Sequence, residues 1–214
     1  MRSAENISSL LALKPGFVGF IFYDKSKRFV KDFPQIKFPS TIKKVGVFVN
    51  EGIDEILKKV HTYELDGIQL HGDESVEYCK KISLALKSNV GSLRAQSEFR
   101  NIEIIKAFSV SDDFDFSTTN EYQDDCDYLL FDTKGKDYGG NGLKFNWEIL
   151  KQYKGNTPYF LSGGIGLEDE NELLSFLRSP ESNRCHVIDV NSRFEDSPGL
   201  KNIEKLKEFK SNLR

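Results

Sequence analysis

The chain has 214 residues, 38% hydrophobic and 29% charged, with a formal net charge of −3 and a pI of about 5.7. Lys and Arg are interspersed with Asp and Glu, which argues against nucleic acid or an anionic membrane as the main partner, and the length suits one domain over residues 1–214. Cys79, Cys126 and Cys185 are odd in number and far apart, which speaks for a reducing compartment without disulfides or zinc; no apolar run approaches the ~20 residues of a membrane span and no signal-peptide pattern opens the chain, so the expectation is a cytoplasmic protein.

The first predicted element is a helix. Ser3 is its expected N-cap, Ile7, Leu10, Leu11 and Leu13 form its apolar stripe, and Lys14-Pro15-Gly16 ends it. Strand and helix patterns then alternate. Strands are predicted over Phe17–Tyr23, Lys44–Asn50, Gly67–Gly72, Ile102–Phe108, Tyr128–Asp132, Tyr159–Ile165 and His186–Ser192. Helices are predicted over Ile53–Thr62, Ser75–Leu86, Asn146–Tyr153, Asp169–Leu177 and Asn202–Phe209. Ser88–Asn101 reads as a polar insertion and Ser111–Glu121 as an acidic, poorly periodic connection. This alternation means βαβ units and a parallel sheet. The count is seven strands, whereas a closed (βα)8 barrel needs eight, and the leading helix with no strand before it places the deficit at the N-terminus. An open doubly wound sheet also fits seven strands, but its Gly-rich fingerprint is absent after the first, where Asp24-Lys25-Ser26-Lys27-Arg28 stands.

Polar residues gather at the C-terminal ends of these strands: Arg28, Asn50, His71, Asp132, Asp189, Asn191 and Ser192. In a barrel these ends meet at one mouth, and packing alone gives no reason for polar residues there. Asp132 ends an unbroken apolar run, Tyr128–Phe131, and is the candidate general acid; the competing reading is a solvated turn aspartate. Asp189 fits either a site carboxylate or one that binds loop amides. Arg28 fits a fork for a carboxylate or phosphate, or part of a surface basic cluster with Lys25 and Lys27. His71 fits a substrate-binding or acid–base group, or else an orienting or core histidine. Gly163 and Gly164 let backbone N–H groups approach an anion, and with Asn191 and Ser192 after the next strand they read as a phosphate site. No His/Cys/Asp/Glu grouping has metal-ligand spacing, and no cofactor motif is present.

Taken together, GFIFYDKSKRFV (19–30), VGVFVNE (45–51), IQLHGDES (68–75), IKAFSV (105–110), LLFDTK (129–134), GGNG (139–142), FLSGGI (160–165) and DVNSRFEDSPGLK (189–201) resemble the phosphoribosylanthranilate isomerase family of tryptophan biosynthesis over nearly the whole chain. The resemblance implies a single-domain (βα)8 TIM barrel, no cofactor, a small sugar-phosphate substrate and a monomer or homodimer. It implies an Amadori rearrangement of N-(5-phosphoribosyl)anthranilate to 1-(2-carboxyphenylamino)-1-deoxyribulose 5-phosphate. Asp132 then matches the acid that opens the furanose ring, Arg28 the contact to the anthranilate part, and Asp189 a residue near the anthranilate amine. Gly163, Gly164, Asn191 and Ser192 match the phosphate site. The family's base is a cysteine in a K-x-C-G motif ending strand 1, and residues 1–214 contain no such motif. Strand and base are missing together, which favours a full protein that carries both upstream, and the expected activity of residues 1–214 alone is low. The alternatives are a non-catalytic sugar-phosphate-binding barrel and a related phosphate-barrel enzyme such as indole-glycerol-phosphate synthase, which usually places a lysine at a strand end; Lys106 lies inside its strand, and Arg28 with the FDTK and GGNG segments fits the isomerase better.

Overall fold

The computed structural model describes residues 1–92, 101–133 and 144–213. Its framework is one parallel sheet of seven strands in sequential order: β1 Phe17–Ile21, β2 Lys43–Phe48, β3 Gly67–Leu70, β4 Glu103–Val110, β5 Tyr128–Thr133, β6 Tyr159–Leu161 and β7 Cys185–Ile188. Each strand pairs with the next in the chain, from Phe17 opposite Lys43 at one edge to Leu161 opposite Ile188 at the other. The sheet curls as its strands twist. The Phe17 ring of β1 lies 5.0 Å from the Phe160 ring of β6 and 6.5 Å from the His186 ring of β7, across the interior. Among the described residues no ladder joins β7 to β1, so the architecture is a TIM-type barrel with one stave open.

Apolar alternation sets the layers. Val45, Ile105, Ala107, Leu130 and Phe160 fill the barrel interior. The outward faces pack into two larger clusters, one under β1–β3 and one under β5–β7. Helices α1 (Ala4–Leu11), α2 (Ile53–Tyr63), α3 (Val76–Ser92), α4 (Glu170–Leu177) and α5 (Ile203–Asn212) supply the outer layer. Between β1 and β2 a loop does a helix's work: Phe33 stacks 4.4 Å from Tyr63 and 4.7 Å from Phe20. Helix α1 bridges the open stave. Leu10 packs against both outer clusters, and the Asn6 side chain both donates to Lys201 O and accepts from Lys201 N at 2.8 Å. The cap expected at Ser3 is present, and the Ser75 and Asn202 side chains cap α3 and α5.

Several element bounds differ from expectation. β6 and β7 stop at Leu161 and Ile188, so Ser162–Ile165 and Asp189–Ser192 are loops that rise from the strands. Asn146–Tyr153 is a 3-10 turn, Trp147–Gln152, rather than an α-helix. A 3-10 turn, Leu167–Asp169, precedes α4. α3 runs on to Ser92, so the Ser88–Asn101 insertion begins as helix; 93–100 and the GGNG segment lie outside the described residues. Phe116–Tyr122 forms a 3-10 turn within the acidic connection. A short antiparallel hairpin, β8 (Glu195–Ser197) with β9 (Leu200–Lys201), was not anticipated. No described helix is long and apolar enough to cross a membrane.

Candidate active site

A cavity of about 610 Å³ occupies the barrel mouth and runs along the open stave. Arg28, His71, Asp132, Gly163, Gly164, Asp189, Asn191 and Ser192, all the site residues expected from the sequence, line it. Asn50, the other strand-end polar residue, does not. Its backbone N–H donates to Glu74 and its side-chain oxygen accepts from Asp73 N at 2.8 Å, so it shapes the loop after β3.

Asp132 is 7% exposed at the top of β5. Its Oδ1 accepts from Thr133 N at 2.9 Å, which leaves Oδ2 facing His71 Nε2 at 3.4 Å. The Gln69 amide lies 2.6 Å from His71 Nδ1; with its N–H donating, a neutral ring keeps its proton on Nε2, toward the carboxylate. His71 therefore orients Asp132, and the two form one unit.

Asp189 follows β7. It accepts from Ser162 Oγ at 3.1 Å, and its backbone N–H donates to Leu161 O at 2.8 Å. Burial raises its carboxyl above the ordinary value of 3.8, Lys201 opposes that rise, and the charge of Asp132 adds to it. Lys201 is itself lowered by burial, against the pull of Glu195 and Asp189.

The turn after β6 is set by glycine. Gly163 and Gly164 have φ of +96° and +65°, and a Cβ on Gly163 would sit 2.2 Å from Thr133 Oγ1. Among the described residues no protein acceptor takes the N–H of Gly163, Gly164 or Ile165. The N–H of Gly166 is taken by Asp169 Oδ2 at 2.8 Å. The Asn191 side-chain oxygen accepts from Lys201 Nζ at 2.8 Å.

Glu195 and Lys201 were missed from the sequence. Glu195 Oε2 accepts from Arg28 Nε at 2.8 Å and pairs with Nη2 as an ion at 2.8 Å, and Oε1 lies 3.3 Å from Lys201 Nζ. The pairing of positions 167 residues apart on irregular segments leaves no periodic signal. Among the described residues no three His, Cys, Asp or Glu side chains converge on an ion site.

The family model for N-(5'-phosphoribosyl)anthranilate (PRA) isomerase matches residues 1–97 and 91–212. The chain belongs to the PRA isomerase family. The N-(5'-phosphoribosyl)anthranilate isomerase of Parabacteroides distasonis is 44% identical over 214 residues, covering 98% of this chain and 88% of its own length. The crystal structure of the Thermotoga maritima phosphoribosyl anthranilate isomerase superposes with a TM-score of 0.75 at 29% identity, covering 100% of this chain and 95% of that one. A family structure in complex with reduced 1-(o-carboxyphenylamino)-1-deoxyribulose 5-phosphate gives 0.73 at 27%, covering 100% and 94%. Against the family pattern, none of the three cysteines is at the mouth. Cys79 and Cys126 are buried in α3 and before β5, and Cys185 starts β7 at the opposite end of the barrel, its thiol pushed up to about 12 by burial.

Proposed function

We propose that the mouth performs the isomerisation for which the family is named, in tryptophan biosynthesis: N-(5'-phosphoribosyl)anthranilate, an aminoaldose, becomes 1-(2-carboxyphenylamino)-1-deoxyribulose 5-phosphate, an aminoketose. The observation that carries this reading is the Asp132–His71 unit on the cavity wall, with Arg28 and the Gly163–Gly164 turn around the same space. Asp132 gives its proton to the furanose ring oxygen as the C1–O bond breaks and the anthranilate nitrogen forms a Schiff base. A base then removes the C2 proton, and the resulting enolamine becomes the ketone. Arg28 receives the anthranilate carboxylate, Asp189 stands by the amine, and the turn at Gly163 and Gly164 with Asn191 and Ser192 receives the phosphate. His71 keeps the Asp132 carboxyl directed at the ring oxygen.

The indole-glycerol-phosphate synthase alternative loses its lysine. Lys106 is buried and donates to Gly72 O at 2.7 Å, to Ala107 O at 3.0 Å and to Glu74 Oε2 at 3.0 Å, so it ties the tops of β3 and β4 together.

The acid assignment is tested in a form of the protein extended by a first strand carrying K-x-C-G. There Asp132→Asn lowers kcat by about 10²–10⁴-fold with KM little changed. Retention of kcat within a few fold would remove Asp132 from the chemistry.

A further inference from the structure

The cluster Arg28–Glu195–Lys201 sits at one side of the mouth and is nearly closed to solvent, with side-chain exposures of 15%, 3% and 10%. A buried carboxylate facing a guanidinium ordinarily closes on it with both oxygens. Here it does not. Only Oε2 meets Arg28, and it meets the side edge, Nε and Nη2, at 2.8 Å each. The second oxygen, Oε1, is drawn to Lys201 Nζ at 3.3 Å. Lys201 is in turn fixed by Asn191 Oδ1 at 2.8 Å, Asn191 O at 3.1 Å and Val190 O at 3.4 Å. The outer edge of Arg28 is thus left for another anion, and among the described residues no protein acceptor takes Nη1. Arg28 and Lys201 both line the cavity. Two cations on one carboxylate leave the cluster with a net positive charge toward it.

We infer that Glu195 is a positioning residue: it grips the side edge of Arg28, with Lys201 holding its other oxygen away, and so presents the Nη1–Nη2 fork to a carboxylate on the substrate's aromatic ring. The inference rests on the reading of Arg28 as the anthranilate contact and names the atoms by which that contact is aimed. A long, flexible arginine loses rotamer freedom when it binds a ligand, and a grip on Arg28 by the protein's own Glu195 lowers that cost. A carboxylate that served only to neutralise Arg28 would oppose an anionic ligand, so the two roles predict opposite signs.

The test is calorimetric titration with two probes: reduced 1-(o-carboxyphenylamino)-1-deoxyribulose 5-phosphate, and the same compound made from aniline, lacking the ring carboxylate. Glu195→Gln is expected to raise Kd for the first probe about tenfold, the worth of one hydrogen bond to a charged group, and to leave the second within about twofold. In an Arg28→Ala background Glu195→Gln is expected to add nothing further for either probe. Unchanged or tighter binding of the carboxylated probe to Glu195→Gln overturns the inference, and so does an equal loss for both probes, which is the mark of a general structural role. Should Arg28→Ala itself fail to distinguish the two probes, the reading of Arg28 as the carboxylate contact falls, and the inference with it. If Glu195→Gln does not fold, the intact protein gives the answer by NMR. The Arg28 Nε–H signal, assigned by its loss in Arg28→Lys, is expected to be downfield and slowly exchanging before any ligand is added. A rapidly exchanging Nε–H in the empty site overturns the inference.

Discussion

At the residue scale, the mouth separates its carboxylates by their partners. Asp132 divides its oxygens between a backbone amide and His71, whereas Asp189 relies on Ser162 and sits close enough to Asp132 to feel its charge. Folding raises the Asp189 carboxyl above 3.8, so the folded state binds that proton more tightly than the unfolded chain. Above both values the ionised group is a constant cost to stability. As pH falls through the raised folded value toward 3.8, that cost disappears. Asp189→Asn is therefore expected to raise Tm near pH 8 and to lose this advantage as the pH is lowered; a Tm series against pH checks it, and a gain that is constant or grows with acid contradicts it. The strand-end carboxylates were legible because they interrupt apolar runs at the place where such folds keep their chemistry. Glu195 and Lys201 were not, because their role is defined only by Arg28 arriving from the other edge of the sheet.

At the element scale, the turn after β6 and the weld between β3 and β4 show how local sequence fixes the rim. Gly163 holds a positive φ and abuts Thr133, whose Oγ1 accepts from Phe145 N at 3.1 Å. Gly163→Ala is expected to cost about 1–3 kcal/mol of stability from backbone strain, before the clash with Thr133 is counted, as a lower urea midpoint. A midpoint unchanged from wild type would mean that the turn relaxes freely. Lys106→Met leaves the Glu74 carboxylate buried without its cation, for an expected loss of about 3–5 kcal/mol in the same assay. The glycine pair was legible as a turn, but the strands around it were read too long. The ladder runs one bond past each strand, from Ser162 N–H to Phe131 O at 2.9 Å and from Asp189 N–H to Leu161 O at 2.8 Å, and the positive φ of Gly163 and Gly164 then turns the chain after β6 out of it.

At the scale of the whole molecule, seven staves curl far enough for Phe17 and Phe160 to touch without closing the circle. The inner residues nearest the opening record it: Gly19 and His186 are exposed while Ile105 and Leu130 are fully buried. β1 and β7 are edge strands here, and edge strands open more readily than central ones. Hydrogen exchange is expected to be fastest in β1 and β7 and slowest in β4 and β5; equal protection across the sheet would contradict an open stave. The seven-strand count was readable from alternation alone, and the family resemblance linked the deficit to the absent base. What alternation could not show was how far the sheet curls, or that α1 spans the opening through Leu10 and the Asn6–Lys201 pair.

The described residues bring Asp132, Arg28 and the Gly163–Gly164 turn to one cavity, and none of their cysteines lines it. The direct measurement is turnover of N-(5'-phosphoribosyl)anthranilate by residues 1–214, beside the same chain extended by a first strand carrying K-x-C-G. The account predicts that residues 1–214 bind the reduced product analogue but turn over the substrate at least about 10²-fold more slowly than the extended chain. Equal kcat in the two forms would contradict it and would place the base within residues 1–214.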